Sequence, residues 1–119
     1  MTCLTLSSAP TRRRLPNGRV HLVLDFEHGG FAYTAGVGFF DDAGQQPAEI
    51  FLTTAKHGTV LDTNARDAAI AASSLLQHGC PVETLHPALT RNADGSASGP
   101  LAHVLDLLDE QTNQKLGGA

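Results

Sequence analysis

The sequence predicts an α+β fold: a three-stranded antiparallel meander sheet followed by two or three helices packed on one face. Three observations lead there. Residues 19–27, 31–39 and 48–54 alternate apolar and polar side chains at period two, as half-buried strands do. Short glycine-rich or polar stretches separate them, which suits antiparallel neighbours. Beyond residue 60 the period lengthens to three and four, the spacing of an amphipathic helix.

The first strand puts Val20, Leu22, Leu24 and Phe26 on one face and Arg19, His21, Asp25 and Glu27 on the other. His28-Gly29-Gly30 is a tight connection, with glycine available for positive φ. The second strand turns Phe31, Tyr33, Ala35, Val37 and Phe39 one way and Ala32, Thr34, Gly36 and Gly38 the other. Those small residues leave room for a close approach. Asp41 to Pro47 is the next turn, leading to the strand 48–54, in which Ile50, Leu52 and Thr54 share a face. Asp62 is placed to cap the helix that follows. Along it Ala65, Ala68, Ala69, Ala72, Leu75 and Leu76 form a narrow stripe that lets the helix lie close on a sheet. Gly79 and Pro81 end it. A short helix over 81–89 follows, then a loop over 90–99 turning at Asp94-Gly95, with Ser98 as a cap. A last helix runs from Pro100 to Gln111, with Leu101, Val104, Leu105 and Leu108 on one side. The domain thus spans 19–111, flanked by a disordered basic tail or tether over 1–18 and a flexible tail over 112–119.

Composition limits the function classes. A chain of 119 residues with 41% hydrophobic and 17% charged residues suits one domain with a modest core. No apolar run approaches the roughly 18 residues that a membrane helix needs. The two cysteines, Cys3 and Cys80, make no disulfide framework. A cytoplasmic, reduced setting is expected. Arg12, Arg13, Arg14 and Arg19 precede the first acidic residue, Asp25, and the rest is acidic, which argues against a nucleic-acid surface.

Few stretches carry chemistry. The turn from Ala55 to Asn64 joins a strand to a helix start, where free N–H groups and the helix dipole favour an anion. Lys56, His57, Gly58, Thr59 and Asn64 are the candidate ligand-binding residues there, although the Walker pattern is absent. Cys80, between one helix end and the next helix start, reads as a buried structural thiol. His78, Cys80 and His86 fit no zinc spacing, so no metal site is expected. No nucleophile elbow or nucleophile–base pair is evident, and no catalytic residue is assigned.

Four groups of segments together carry a resemblance: Arg14-Leu-Pro-Asn; Ala48-Glu-Ile-Phe-Leu followed by Ala55-Lys-His-Gly-Thr; Leu76-Gln-His-Gly-Cys-Pro-Val; and Leu89-Thr-Arg-Asn. In this order the chain resembles the TSCPD domain, over about Arg14 to Leu108. That module occurs in the C-terminal part of adenosylcobalamin-dependent (class II) ribonucleotide reductases and in small stand-alone proteins. The naming signature falls at Ala97-Ser-Gly-Pro-Leu, where Gly99 replaces the cysteine and Leu101 the aspartate, so no thiol or metal role carries over. The reductase's radical and redox cysteines belong to a catalytic barrel that this sequence lacks. The resemblance implies a non-catalytic accessory or interaction module linked to deoxynucleotide supply, with no cofactor of its own and a reductase or another protein as partner. The alternative is a small nucleotide- or anion-binding protein using the 55–64 turn. A homodimer is expected through an edge strand or the sheet face bearing Val23, Thr34, Gly36, Phe51 and Thr53, because a thin sheet with a half-apolar outer face tends to be covered.

Overall fold

The structure, a computed structural model, describes residues 11–117. Three strands, β1 (His21–His28), β2 (Phe31–Phe39) and β3 (Pro47–Thr54), form one antiparallel sheet in the order β1-β2-β3. Three helices follow: α1 (Val60–Gln77), α2 (Val82–Ala88) and α3 (Pro100–Gly117). The α+β class, the meander and its helical cover are as the alternation and the change of period require.

Glycine sets the first hairpin. Gly29 and Gly30 have φ of 59° and 83°, the geometry of a two-residue loop whose twist matches the strands. Leu22 then faces Val37, and Phe26 faces Tyr33, which it stacks against at 5.5 Å. Beyond the hairpin the inner rows of β2 and β3 are buried: Ala35, Val37, Ile50 and Leu52 are all at most 2% exposed, while Phe31 beside the hairpin is exposed. β1 starts at His21 instead of Arg19, and the Arg19 guanidinium Nε donates to the Glu49 carboxylate at 2.8 Å.

α1 lies on the sheet by its alanine stripe, and Ala65, Ala69 and Ala72 are each 2% exposed. Its cap is Thr59, not Asp62. The Thr59 hydroxyl accepts the Asp62 N–H at 3.2 Å, and Asp62 sits one turn inside the helix. That releases the Asp62 carboxylate for a tertiary role. It accepts the Thr54 N–H at 3.1 Å. Two further α1 side chains do the same along β3: Ser73 Oγ binds both the N–H and the C=O of Ile50, and Gln77 Nε2 donates to the Ala48 carbonyl. Residues 62, 73 and 77 share one helical stripe. They occupy four backbone groups on the outer edge of β3 with side-chain hydrogen bonds, where another strand would otherwise pair.

The C-terminus of α1 explains Cys80. Gly79 has φ 98°, its N–H reaches Leu76 C=O, and the Cys80 N–H reaches Leu75 C=O at 3.0 Å. This is a Schellman end, which folds the residue after the glycine back onto the helix. Cys80 is accordingly buried.

α2 runs over Val82–Ala88, inside the expected 81–89, with Pro81 as its cap and Pro87 in its last turn. α3 continues to Gly117, beyond the expected end at Gln111. Ser98 does not cap it: its hydroxyl donates to Asn92 Oδ1, and the first helical bond runs from the His103 N–H to the Gly99 carbonyl.

The part of the basic tail that is described, from Thr11, is docked on the domain instead of trailing away; residues 1–10, Cys3 among them, lie outside the described residues. The Arg13 N–H donates to the Gln77 carbonyl, Arg12 Nε donates to Gln77 Oε1, and the Arg13 guanidinium lies 3.9 Å from the Phe40 ring centroid. Cations at a helix C-terminus complement the dipole. Replacing Arg12 and Arg13 together by alanine is expected to lower stability by about 1 kcal/mol. Chemical denaturation measures it, and an unchanged midpoint would show that the docking carries no energy.

Candidate functional site

The 55–64 turn does not gather its candidate residues. Lys56, His57, Gly58, Thr59 and Asn64 are all exposed. His57 borders a shallow groove with Asp25, Phe26 and Thr34, whereas Asn64 borders a different one with Leu61, Leu89 and Pro100. Thr59 is occupied as the cap and donates to the Lys56 carbonyl at 2.6 Å. The anion at this helix start is the chain's own. The Thr54 amide, then Arg66 at 2.8 Å, hold the Asp62 carboxyl below the usual carboxylate range.

The densest polar chemistry lies elsewhere, between the β1–β2 hairpin, α2, the 90–99 loop and α3. The loop is a small stapled hairpin: Asn92 bonds Ser96 and Ser98, and Asp94 accepts from Ser96. Arg91, at its start, donates to both Asp106 oxygens at 2.7 Å. His86 from α2 shares the same carboxylate through Nε2 at 2.6 Å. One carboxylate thus ties three segments together. Arg91 chiefly, with His86, holds Asp106 down to about 2.

One turn earlier on α3, His103 meets His28 with their Nδ1 atoms 3.0 Å apart. His28 Nε2 lies 3.1 Å from the Ser98 carbonyl, which only accepts, so that nitrogen carries a proton. With His28 neutral, its Nδ1 must accept from His103, leaving the lone pair of His103 on Nε2. Burial, and next the neighbouring His28, lower the His103 pKa. Phe26 closes one side, its ring 4.7 Å from that of His103.

This arrangement joins segments firmly. Among the described residues no serine or threonine hydroxyl is hydrogen-bonded to a histidine. Nor do three or more His, Cys, Asp or Glu side chains come together to hold a metal among them. The trio His78, Cys80 and His86 is dispersed: His78 Nδ1 turns to the Ser74 carbonyl, Cys80 is buried, and His86 is engaged by Asp106. Sequence reasoning missed His28, Arg91, His103 and Asp106. The one local signal was His103 and Asp106 at i, i+3, on adjacent positions of a helix surface.

The third region is the outer sheet face. Val23 and Phe51 are 63% and 55% exposed there. The β2 glycines do not await a neighbour, as the sequence suggests, because the chain fills them itself. A Cβ on Gly36 would meet His21 Cε1 at 2.9 Å, and one on Gly38 would strike the Glu49 side chain at 2.5 Å. The face is flush, with apolar side chains standing out of it and Asp25 bonded to Thr34 at its margin.

No family model, curated protein or solved structure matches the chain.

Proposed function

We propose that the chain is a non-catalytic interaction module that works as a homodimer and presents its outer sheet face to a protein partner. The observation that carries the reading is the exposure of Val23 and Phe51 on a sheet whose other face carries the helices and whose β3 edge is engaged by side chains of α1. Exposed apolar side chains grouped on a flat sheet mark interaction surfaces. The TSCPD resemblance, which rests on its four segment groups, supplies the partner: an adenosylcobalamin-dependent ribonucleotide reductase, to which the chain is an accessory in deoxynucleotide supply. The anion-binding alternative is weakened by Asp62, which already answers the field of the α1 N-terminus.

The test is a titration of the purified chain into the adenosylcobalamin-dependent reductase of its source cell. Binding is expected, and Phe51→Lys is expected to weaken it at least tenfold, on the order of 1.4 kcal/mol, because a charge would have to be desolvated at the contact. Alone with adenosylcobalamin, a dithiol and ribonucleotides, the chain is expected to form no deoxynucleotide. No binding, or binding indifferent to Phe51→Lys, contradicts the reading. So does turnover by the isolated chain.

A further inference from the structure

The two edges of the sheet are treated differently. Along β3, Asp62, Ser73 and Gln77 occupy the outward groups of Thr54, Ile50 and Ala48. Among the described residues β1 has no such cover. The Phe39 N–H bonds the Val20 carbonyl, so in the register of this pair the even residues of β1 face β2. The N–H and C=O groups of His21, Val23, Asp25 and Glu27 therefore point away from the sheet. Among the described residues none of them is bonded to another element. The strand carries no proline, bulge or inward-pointing charge that would discourage pairing. A second observation points the same way. The inner row of β1, Leu22, Leu24 and Phe26, is only half-buried along its length, whereas Tyr33 to Phe39 on the inner row of β2 and Ile50 and Leu52 on that of β3 are buried.

We infer that β1 pairs antiparallel with β1 of a second copy, about a two-fold axis at Leu24, making one six-stranded sheet from two chains. The outward groups belong to odd residues, so odd must meet odd. Centring on Leu24 satisfies this and aligns 21–27 with itself. On the outer face His21 then stands opposite the partner's Glu27, at both ends of the ladder. Val23 stands opposite the partner's Asp25. On the inner face Leu22 meets the partner's Phe26, and Leu24 meets its own copy, covering the half-exposed row. Centring on Asp25 would set two carboxylates face to face, and centring on Val23 would align only 21–25 within the strand. The pairing also joins the two outer faces into one continuous surface. This inference rests on the homodimer part of the proposed function and names its interface.

Light scattering at micromolar concentration should give twice the 12.5 kDa chain mass. Val23→Pro removes an N–H that the monomer's own ladder does not use, so the fold should persist, by circular dichroism, while the mass falls to that of one chain. Leu24→Cys, in a Cys3→Ser background, should cross-link under mild oxidation, because opposed residues of a non-hydrogen-bonded pair lie about 4.5 Å apart at Cα, within disulfide reach. A wild-type monomer overturns both the pairing and the homodimer. A dimer that Val23→Pro leaves intact overturns the pairing and keeps the homodimer. A dimer that Val23→Pro dissociates but Leu24→Cys does not cross-link overturns the register.

Discussion

Ala69→Leu is expected to destabilise the fold by about 1–3 kcal/mol, the cost of forcing extra methylenes into a well-packed contact. Ala69 is 2% exposed, in the middle of the stripe that includes Ala65 and Ala72. The same helix carries Asp62, Ser73 and Gln77 to the edge of β3, with bonds of 2.8–3.1 Å. A leucine at 69 would lift the helix, and those short bonds have no slack to follow. Urea denaturation measures the loss. Ala69→Gly, which adds no volume, should cost only the smaller helix-propensity difference of about 1 kcal/mol. Equal effects for the two variants would place the close contact elsewhere on α1.

Asp106→Ala is expected to cost about 2 kcal/mol, since it strips a carboxylate from both Arg91 and His86. The loss stays below the 3–5 kcal/mol of a fully buried broken pair because the partners keep access to water, Arg91 being 32% and His86 22% exposed. The same cluster contributes to the acid side of the stability curve. The His103 pKa is lowered in the fold, so its neutral form is favoured there. Its contribution is complete above about 6.5, the unfolded value, and declines as pH falls below it. Asp106 is depressed to about 2, so its contribution is present above about 3.8 and is lost as pH falls through that value toward 2. Stability should therefore decline in two stages on acidification. His103→Phe should remove the first, and Asp106→Asn should shrink the second, which Asp62 and Asp94, also held below the usual carboxylate range, share. A single stage below pH 4 in the wild type would show that the fold does not disfavour the protonated form of His103.

How much of this was legible depends on the distance in sequence between partners. The strands were readable because alternation is local: Leu22, Leu24 and Phe26 announce a face without reference to anything else. The alanine stripe announced the close helix in the same way. The cap of α1 was misread by one turn, because Thr59 and Asp62 both suit the position and only the demand of the Thr54 N–H separates them. The edge seal was invisible, since Ser73 bonds a strand residue 23 positions away and Gln77 one 29 positions away. The histidine pair joins residues 75 apart. His86 was grouped with His78 and Cys80 because they are near in sequence, yet its partner comes from another helix. The glycines of β2 were read correctly as sites of close approach but assigned the wrong neighbour. His21 and Glu49 come from the adjacent strands and left no local trace.

The most direct measurement of the central claim is a map of the amide resonances of the labelled chain during titration with the reductase. The account predicts that the perturbed amides lie on the outer face, around Val23, Thr34, Phe51 and Thr53. The 55–64 turn and the cluster of His28, His103 and Asp106 should stay unmoved. Perturbation centred on Lys56 to Asn64, or on that cluster, with the outer face silent, would contradict it.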